Sequence, residues 1–209
     1  MYDILDQDAQ LELVRTRLRK YTFEVPKVRA WVEHNSEGYV LNLFAGMPPL
    51  NLDEVRNDLN EDANADFHMD CLDFVKFWRD NEDELFDTII LDPPYNLRKS
   101  MELYDGRYTS RFKKLADALQ DILKPNGKII SFGYHSTFMG KGRGFKLDKM
   151  CVFAHGGSQH CTIAIIESRF CANTLARAES EAILCKEEIA SESPQNDSFQ
   201  DKEDWWPKL

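Results

Sequence analysis

The chain has 209 residues, 43% of them hydrophobic, which suits one α/β domain with a sizeable core and a short appendage. It contains no run of about 18 apolar residues and no signal-peptide pattern, so neither a membrane span nor export is predicted. The five cysteines form no CxxC pair, so neither a metal site nor a disulfide framework is predicted. This cysteine usage indicates a protein of the reducing cytoplasm, or one associated with the nucleoid.

Two helices are predicted before the first strand. The segment VPKVRAWVEHNSEG predicts one of them, with a proline near its start and Gly38 beyond its end. An amphipathic helix is predicted over residues 4–20, because apolar residues recur there at helical spacing: Leu5, Ala9, Leu11, Val14 and Leu18. We therefore assign residues 1–38 to an N-terminal helical segment.

A series of strands and helices follows. YVLNLFAG predicts a strand that enters a glycine turn, and residues 50–57 read as a short helix or turn with a short strand near Val55–Leu59. DFHMDCLDFVKFWRDN predicts a short strand and then a helix. FDTIILD has no polar alternation, which predicts a strand buried on both faces.

The second half predicts one helix and three strands. SRFKKLADALQDILKPNG carries an apolar helical stripe, formed by Phe112, Leu115, Ala116, Leu119, Ile122 and Leu123. KIISFG predicts a strand, and the segment 143–170 predicts two strands joined around Gly156-Gly157. This order predicts a Rossmann-like α/β fold over residues 39–172, with a doubly wound, mostly parallel sheet and an antiparallel hairpin at its C-terminal end. Residues 173–209 are acidic, and we expect a C-terminal helix and a partly disordered tail.

The functional signal lies in the residues that follow the strands, because open α/β sheets bind ligands at the carboxyl ends of their strands. Gly46 follows the first predicted strand and would let the backbone approach a ligand closely. Asp58, Asp70 and Asp92 follow the next three. The pattern predicts one crevice formed by a glycine turn and three carboxylates.

The last of these acids begins the sequence DPPY, which is Asp92-Pro93-Pro94-Tyr95. It resembles the (Asp/Asn/Ser)-Pro-Pro-(Tyr/Phe/Trp) motif of class I S-adenosylmethionine-dependent methyltransferases that modify exocyclic or amide nitrogens. The order of the two motifs, with the glycine turn before DPPY, resembles that in the amino-methyltransferases that modify adenine N6 in DNA. It also resembles the order in small RNA methyltransferases that act on adenine N6 or guanine N2. The resemblance covers roughly residues 25–170.

The resemblance implies a role for each residue of the motif. A base amine is a poor nucleophile because its lone pair is delocalised into the ring. The Asp92 carboxylate would accept one N–H of the amine and stabilise the developing positive charge, and the Pro93 carbonyl would accept the other N–H. Pro93 and Pro94 stiffen the turn, and Tyr95 offers a flat face on which the extruded base can stack.

The resemblance also implies S-adenosylmethionine as cofactor and assigns its contacts. Asp58 would accept from the ribose hydroxyls, Asp70 from the adenine amine with a backbone donor from Cys71, and Asp92 would border the methyl group. The methionine part would be lined by Phe44, Ala45 and Gly46. The sequence departs from the family at Met47-Pro48-Pro49, where the turn usually carries a second small residue and where prolines cannot donate N–H bonds.

The charge distribution indicates the substrate. The net charge of −10, taken alone, argues against nucleic-acid binding. Residues 96–149, however, hold twelve Lys or Arg and five Asp or Glu, which gives +7 there and −17 elsewhere. A solvated surface or a nucleic-acid-facing surface would both account for this segment. The proposed nucleic-acid contacts are Tyr95, Arg98, Lys99, Lys141 and Arg143, the last two in a glycine-rich loop that we expect to be mobile.

The function expected from the resemblance is methylation of adenine N6 in DNA, and methylation of an RNA base, at adenine N6 or guanine N2, is the alternative within the same class. No separate target-recognition domain is evident, so the enzyme would read a short or single-stranded target in DNA or RNA, or borrow its specificity from a protein partner. A catalytically silent methyltransferase-like subunit is the alternative of a different class, and methylation of a small molecule or of a protein glutamine is a further one.

Overall fold

The computed structural model describes residues 9–94, 112–157 and 159–169, and seven strands form one sheet in this part of the chain. The order across the sheet is β1-β6-β7-β5-β4-β2-β3. The β5–β7 and β6–β7 pairs are antiparallel, and the other pairs are parallel. The predicted fold class is confirmed. The strands are β1 Gln10–Arg15, β2 Val40–Asn42, β3 Glu54–Arg56, β4 Phe86–Leu91, β5 Leu123–Gly133, β6 Phe145–Ala154 and β7 Thr162–Arg169.

In the described ranges, three α-helices pack against this sheet. Helix α1 spans Pro26–Asn35 and begins with a proline, whose fixed φ suits the first helical turn. Helix α2 spans Cys71–Asn81, and the Asp70 carboxylate caps it by accepting the N–H of Leu72 at 3.0 Å. Helix α3 spans Phe112–Ala118 and continues into a 3₁₀ turn, Leu119–Asp121. Two further 3₁₀ turns are Thr22–Glu24 and Lys141–Arg143.

The central strands are apolar on both faces, because successive side chains point to opposite sides of a strand. In β4, Ile89 belongs to the core cluster that includes Phe74 and Leu115, from α2 and α3. Its neighbour Ile90 belongs to the second cluster, which includes Trp31 from α1. All five side chains are buried. The lack of polar alternation in FDTIIL therefore reflects a strand covered by helices on both sides.

The predicted helix over residues 4–20 is wrong for residues 10–15, which form strand β1. This strand lies at the edge of the sheet and pairs with β6, with Leu11 opposite Met150 and Leu13 opposite Val152. Leu11 and Leu13 are 72% and 67% exposed. The apolar spacing fits a helix, but the backbone hydrogen bonds come from a strand more than 130 residues away in sequence. The 1–38 segment is thus part strand and part helix.

Two other boundaries differ from the predictions. The apolar stripe that predicted a helix over residues 112–123 extends beyond helix α3. Ile122 lies after the 3₁₀ turn, and Leu123 is the first residue of β5. The short strand predicted before α2 is reduced to one bridge between Asn57 and Phe67.

Several predictions concern residues outside the described ranges. They include Tyr95, Arg98 and Lys99, the segment 173–209 and residues 1–8. No described helix is long and apolar enough to cross a membrane. Within the same ranges, no group of three or more His, Cys, Asp or Glu residues could hold a metal ion.

Candidate active site

A crevice opens where β2, β3 and β4 end, and it contains five of the seven predicted cofactor-binding residues. Its walls come from the loop after β2, the loop after β3, the segment after β4, and the stretch before α1. The lining residues are Lys20, Tyr21, Thr22, Phe23, Phe44, Ala45, Gly46, Met47, Pro48, Asp58, Asn60, Ala63, Asp92, Pro93 and Pro94. The predicted residues Asp70 and Cys71 are not among them.

The glycine turn is held by a carboxylate from the neighbouring loop. Gly46 has a φ of +60°, a conformation that favours glycine, and no other atom lies within 4 Å of where its Cβ would be. The Asp58 carboxylate accepts the N–H of Gly46 and that of Asn60, both at 2.9 Å. Asp58 is buried. It therefore shapes the turn, whatever further contact it makes with a ligand.

A buried ion pair holds the rest of the loop that contains Met47-Pro48-Pro49. The Arg56 guanidinium donates to the carbonyls of Ala45 at 3.3 Å and Gly46 at 3.1 Å, and it pairs with Glu54. The Glu54 carboxylate in turn accepts the N–H of Leu50 at 2.9 Å. The loop is thus held by hydrogen bonds to its carbonyls and to the N–H of Leu50. Its conformation therefore does not depend on backbone N–H groups at Pro48 and Pro49. This pair was not predicted, although two opposite charges two residues apart in a strand share one face.

The buried side-chain amide of Asn57 links the chain just after β2 to the chain just before α2. The Asn57 side chain donates to the carbonyls of Leu43 at 3.3 Å and Met69 at 3.1 Å, and it accepts the N–H of Met69 at 3.1 Å. Asp70, the residue after Met69, caps α2, and Cys71 is buried in the first turn of that helix. The structure therefore places Asp70 and Cys71 at a helix start beside the crevice-forming loops.

The sequence Asp92-Pro93-Pro94 separates the crevice from a second cavity. Asp92 follows β4 directly and is half-buried, while Pro93 and Pro94 are buried. Pro93 lines the crevice and also a cavity of about 270 Å³, which we call the acceptor pocket. The other residues of the acceptor pocket are Phe112, Phe132, Gly133, Tyr134 and His135.

The loop after β5 is anchored to β7, although the sequence predicted a mobile loop. The buried Glu167 carboxylate accepts the N–H groups of Phe138 at 2.9 Å, Met139 at 2.8 Å and Gly140 at 2.9 Å. Further along, the Arg143 guanidinium bonds the Met139 carbonyl at 3.0 Å. Glu167 could not be singled out from local sequence, because its partners lie in a loop almost thirty residues earlier.

The two cations predicted in this loop differ in their surroundings. Arg143 also bonds the Asp117 carboxylate at 2.7 Å, so its guanidinium already has two protein partners. Lys141 is exposed. Of the predicted substrate contacts within the described ranges, Lys141 is therefore the one that faces solvent.

No protein-family model matches the sequence, and no curated protein matches it. Among solved structures, TrmN from Thermus thermophilus is 15% identical with a TM-score of 0.50, over 70% of this chain and 49% of TrmN. A SAM-dependent methyltransferase from Agrobacterium tumefaciens is 17% identical with a TM-score of 0.45, over 68% of this chain and 59% of the other. The N-methyltransferase NodS from Bradyrhizobium japonicum is 9% identical with a TM-score of 0.46, over 73% of this chain and 99% of the other.

This chain spans about half the length of TrmN. At 15% identity the likeness concerns the fold alone. The described part of the chain has a Rossmann-like α/β fold.

Proposed function

We propose that this protein is an S-adenosylmethionine-dependent methyltransferase that acts on an exocyclic base nitrogen, with N6 of adenine in DNA as the leading acceptor. The observation that carries the proposal is that Pro93 borders both the crevice and the acceptor pocket. A methyl donor and a base held in these two cavities would meet beside Asp92 and the Pro93 carbonyl.

The crevice suits the proposed cofactor. The Asp58 and Asp92 carboxylates lie among mostly apolar walls that include Phe44 and Ala45, and open space borders the Cα of Gly46. This combination fits a ligand with a positive sulfonium, an amino acid part and a nucleoside. When bound, S-adenosylmethionine supplies an electrophilic methyl carbon. Asp70 and Cys71 would contact its adenine from the start of α2.

Asp92 and Pro93 are the residues that would activate the acceptor. An Asp92 oxygen would accept one N–H of the base amine and the Pro93 carbonyl the other, which draws the nitrogen lone pair out of conjugation. The Asp92 carboxylate would also stabilise the positive charge on the nitrogen and take the proton that it releases. Because Pro93 and Pro94 are buried and fixed in φ, these acceptors would lose little freedom on binding.

Nucleic acid is the proposed substrate class because residues 96–149 carry a net charge of +7 in a chain whose net charge is −10. Lys141 is exposed and would contact a phosphate, together with Arg98 and Lys99. Arg143 would act mainly by holding the loop through Met139. Tyr95 would stack on the target base. Adenine N6 or guanine N2 in RNA remains the alternative acceptor, and a partner subunit could supply target specificity.

Transfer of a tritiated methyl group to unmodified DNA and RNA pools, followed by nucleoside mass spectrometry, tests this proposal. We expect N6-methyladenine in DNA, and label only in RNA would establish the alternative acceptor. Calorimetric titration with S-adenosylmethionine separates the enzyme from the silent subunit. An absence of cofactor binding at millimolar concentration, together with no transfer, would contradict the proposed function.

A further inference from the structure

A third cavity lies beyond the acceptor pocket, and we call it the flanking cavity. Its volume is about 550 Å³, and its walls include Phe112, Lys113, His135, Thr137, Phe138 and Arg143. Phe112 and His135 also line the acceptor pocket, which is about 270 Å³. The two cavities are therefore neighbours that share these two side chains.

Three aromatic rings form the walls of the flanking cavity. The rings of Phe112 and Phe138 meet edge to face with centroids 6.3 Å apart. The His135 ring lies 6.1 Å from the Phe138 ring at an angle of 37°. All three side chains are partly exposed. Flat rings at a cavity wall suit a planar heterocycle, because base–aromatic stacking depends little on base identity.

The aromatic wall is fixed before any ligand binds. Glu167 accepts the N–H groups of residues 138, 139 and 140, so the backbone that carries Phe138 is held from β7. Arg143 ties the Met139 carbonyl to Asp117, which lies in α3. Since buried hydrogen bonds already order the loop, little binding free energy would be lost in ordering it around a ligand.

The polar groups of the flanking cavity suit a nucleotide. Lys113 is exposed, next to the partly exposed Arg143. The buried Nε2 of His135 has no hydrogen-bond partner among the described residues. Burial lowers the pKa of His135, and the charge of Glu167 opposes this shift. His135 is thus a neutral ring near pH 7, with one nitrogen able to donate and the other to accept.

We propose that the flanking cavity binds the nucleotide next to the methylated one, with its base against Phe138 and its phosphate near Lys113. This inference rests on the proposed function and narrows its substrate. A neighbouring base seated in its own cavity is no longer stacked on the target base. The substrate would therefore be a single strand, or a duplex that is locally opened over two successive nucleotides.

The binding test uses three ligands, titrated by NMR in the presence of S-adenosylhomocysteine: deoxyadenosine monophosphate, the deoxyadenosine dinucleotide, and that dinucleotide with one abasic residue. We expect the dinucleotide to bind about tenfold more tightly than the mononucleotide, from the typical worth of stacking one base. The abasic dinucleotide should lose most of this gain. The ribonucleotide series distinguishes RNA from DNA as the source of the ligand.

Lys113 and Lys114 provide a matched pair of variants, because both are exposed in α3 and only Lys113 lines the flanking cavity. Lys113→Gln should reduce the gain from the second nucleotide several-fold, and Lys114→Gln should leave it unchanged. Phe138→Leu, with folding checked by circular dichroism, should reduce the gain from the second base. Equal affinity of the wild-type protein for all three ligands, or no binding of any, would overturn the inference.

Methyl transfer to the same ligands separates this inference from the proposed function. Equal kcat/KM for the mononucleotide and the dinucleotide would overturn the flanking-nucleotide site and leave the methyltransferase intact. A tenfold gain in binding, without methyl transfer to any nucleic acid, would support the flanking cavity and contradict the acceptor chemistry at Asp92.

Discussion

The carboxylate of Asp58 accepts the backbone N–H of Gly46 at 2.9 Å, and this bond joins the loop after β3 to the turn after β2. The two residues are 12 apart in sequence, and both line the crevice. Asp58, which the family resemblance assigns to the ribose of the cofactor, is therefore also part of the scaffold. Binding and folding effects must be separated at this position.

Replacing Asp58 with Ala should affect both stability and cofactor affinity. The N–H groups of Gly46 and Asn60 would lose their acceptor, which costs about 1–3 kcal/mol of unfolding free energy when the donor is buried. Urea unfolding and calorimetry with S-adenosylmethionine measure the two effects. The exposed Asp62→Asn is the control. An unchanged cofactor affinity would remove this turn from the cofactor site.

Replacing Asp92 with Ala should reduce methyl transfer by roughly 100-fold or more, because the base amine loses an acceptor and the developing charge on nitrogen loses its counter-charge. Cofactor affinity should change little, since the crevice has many other walls. Single-turnover transfer and calorimetry measure the two quantities. If Asp92→Ala keeps most of its activity, the assignment of Asp92 as the acceptor of the amine is wrong.

The Glu54–Arg56 pair should show strong coupling in a double-mutant cycle, since the two side chains are only 4% and 7% exposed. Arg56→Met should cost about 3–5 kcal/mol of unfolding free energy, because it leaves a buried carboxylate unpaired. The double variant Glu54→Gln/Arg56→Met should cost less than the sum of the single changes. Arg79→Met, which breaks an exposed pair with Asp80, should cost under about 1 kcal/mol. Additive effects at Glu54 and Arg56 would contradict the pairing.

Glu167→Gln should loosen the loop at residues 138–140, because a glutamine side chain has only one oxygen acceptor for the three N–H groups. We expect a loss of about 1–3 kcal/mol in unfolding free energy. Hydrogen exchange should become faster at the amides of Phe138, Met139 and Gly140. Glu61→Gln on the exposed surface is the control. Unchanged protection of these amides would show that the loop is ordered by other contacts.

Acid should weaken the protein partly through Asp87. The Lys124 ammonium at 2.7 Å, together with the backbone N–H of Tyr39 at 2.8 Å, lowers the pKa of this carboxyl. Because the folded-state pKa is below the unfolded value of about 3.9, Asp87 contributes stability above that pH and loses it as the pH falls through the lowered value. Asp87→Asn should therefore flatten the dependence of urea stability on pH below about 4, and exposed Asp83→Asn should not. Parallel curves for wild type and Asp87→Asn would exclude this contribution.

Local signals explain which parts of the site were predictable. Strand β4 is a short apolar run, and Asp92 follows it directly, so the position of the carboxylate at the sheet edge can be read from FDTIILD. Gly46 likewise follows a predicted strand. The crevice at these strand ends then follows from parallel topology. The role of DPPY in catalysis stays a prediction, as do the contacts of Tyr95, Arg98 and Lys99.

What the sequence did not predict depends on contacts between distant segments. Strand β1 looks helical because its apolar spacing is compatible with a helix, and only the pairing with β6 makes it a strand. Glu167 looks like an ordinary charge in an apolar strand, and its three N–H partners lie 27 to 29 residues earlier. Arg56 gives no motif, since its partners include main-chain carbonyls.

Pro93 is the residue shared by the walls of the crevice and the acceptor pocket in the described part of the chain. In the proposed enzyme, the side chains around the methyl donor can therefore be changed separately from those around the base. A library of substitutions confined to Tyr134 and His135, which line the acceptor pocket and not the crevice, should change which base is modified and leave donor affinity intact. The sheet edge would then offer directed evolution one cavity for the methyl donor and a separate one in which the choice of base can be altered.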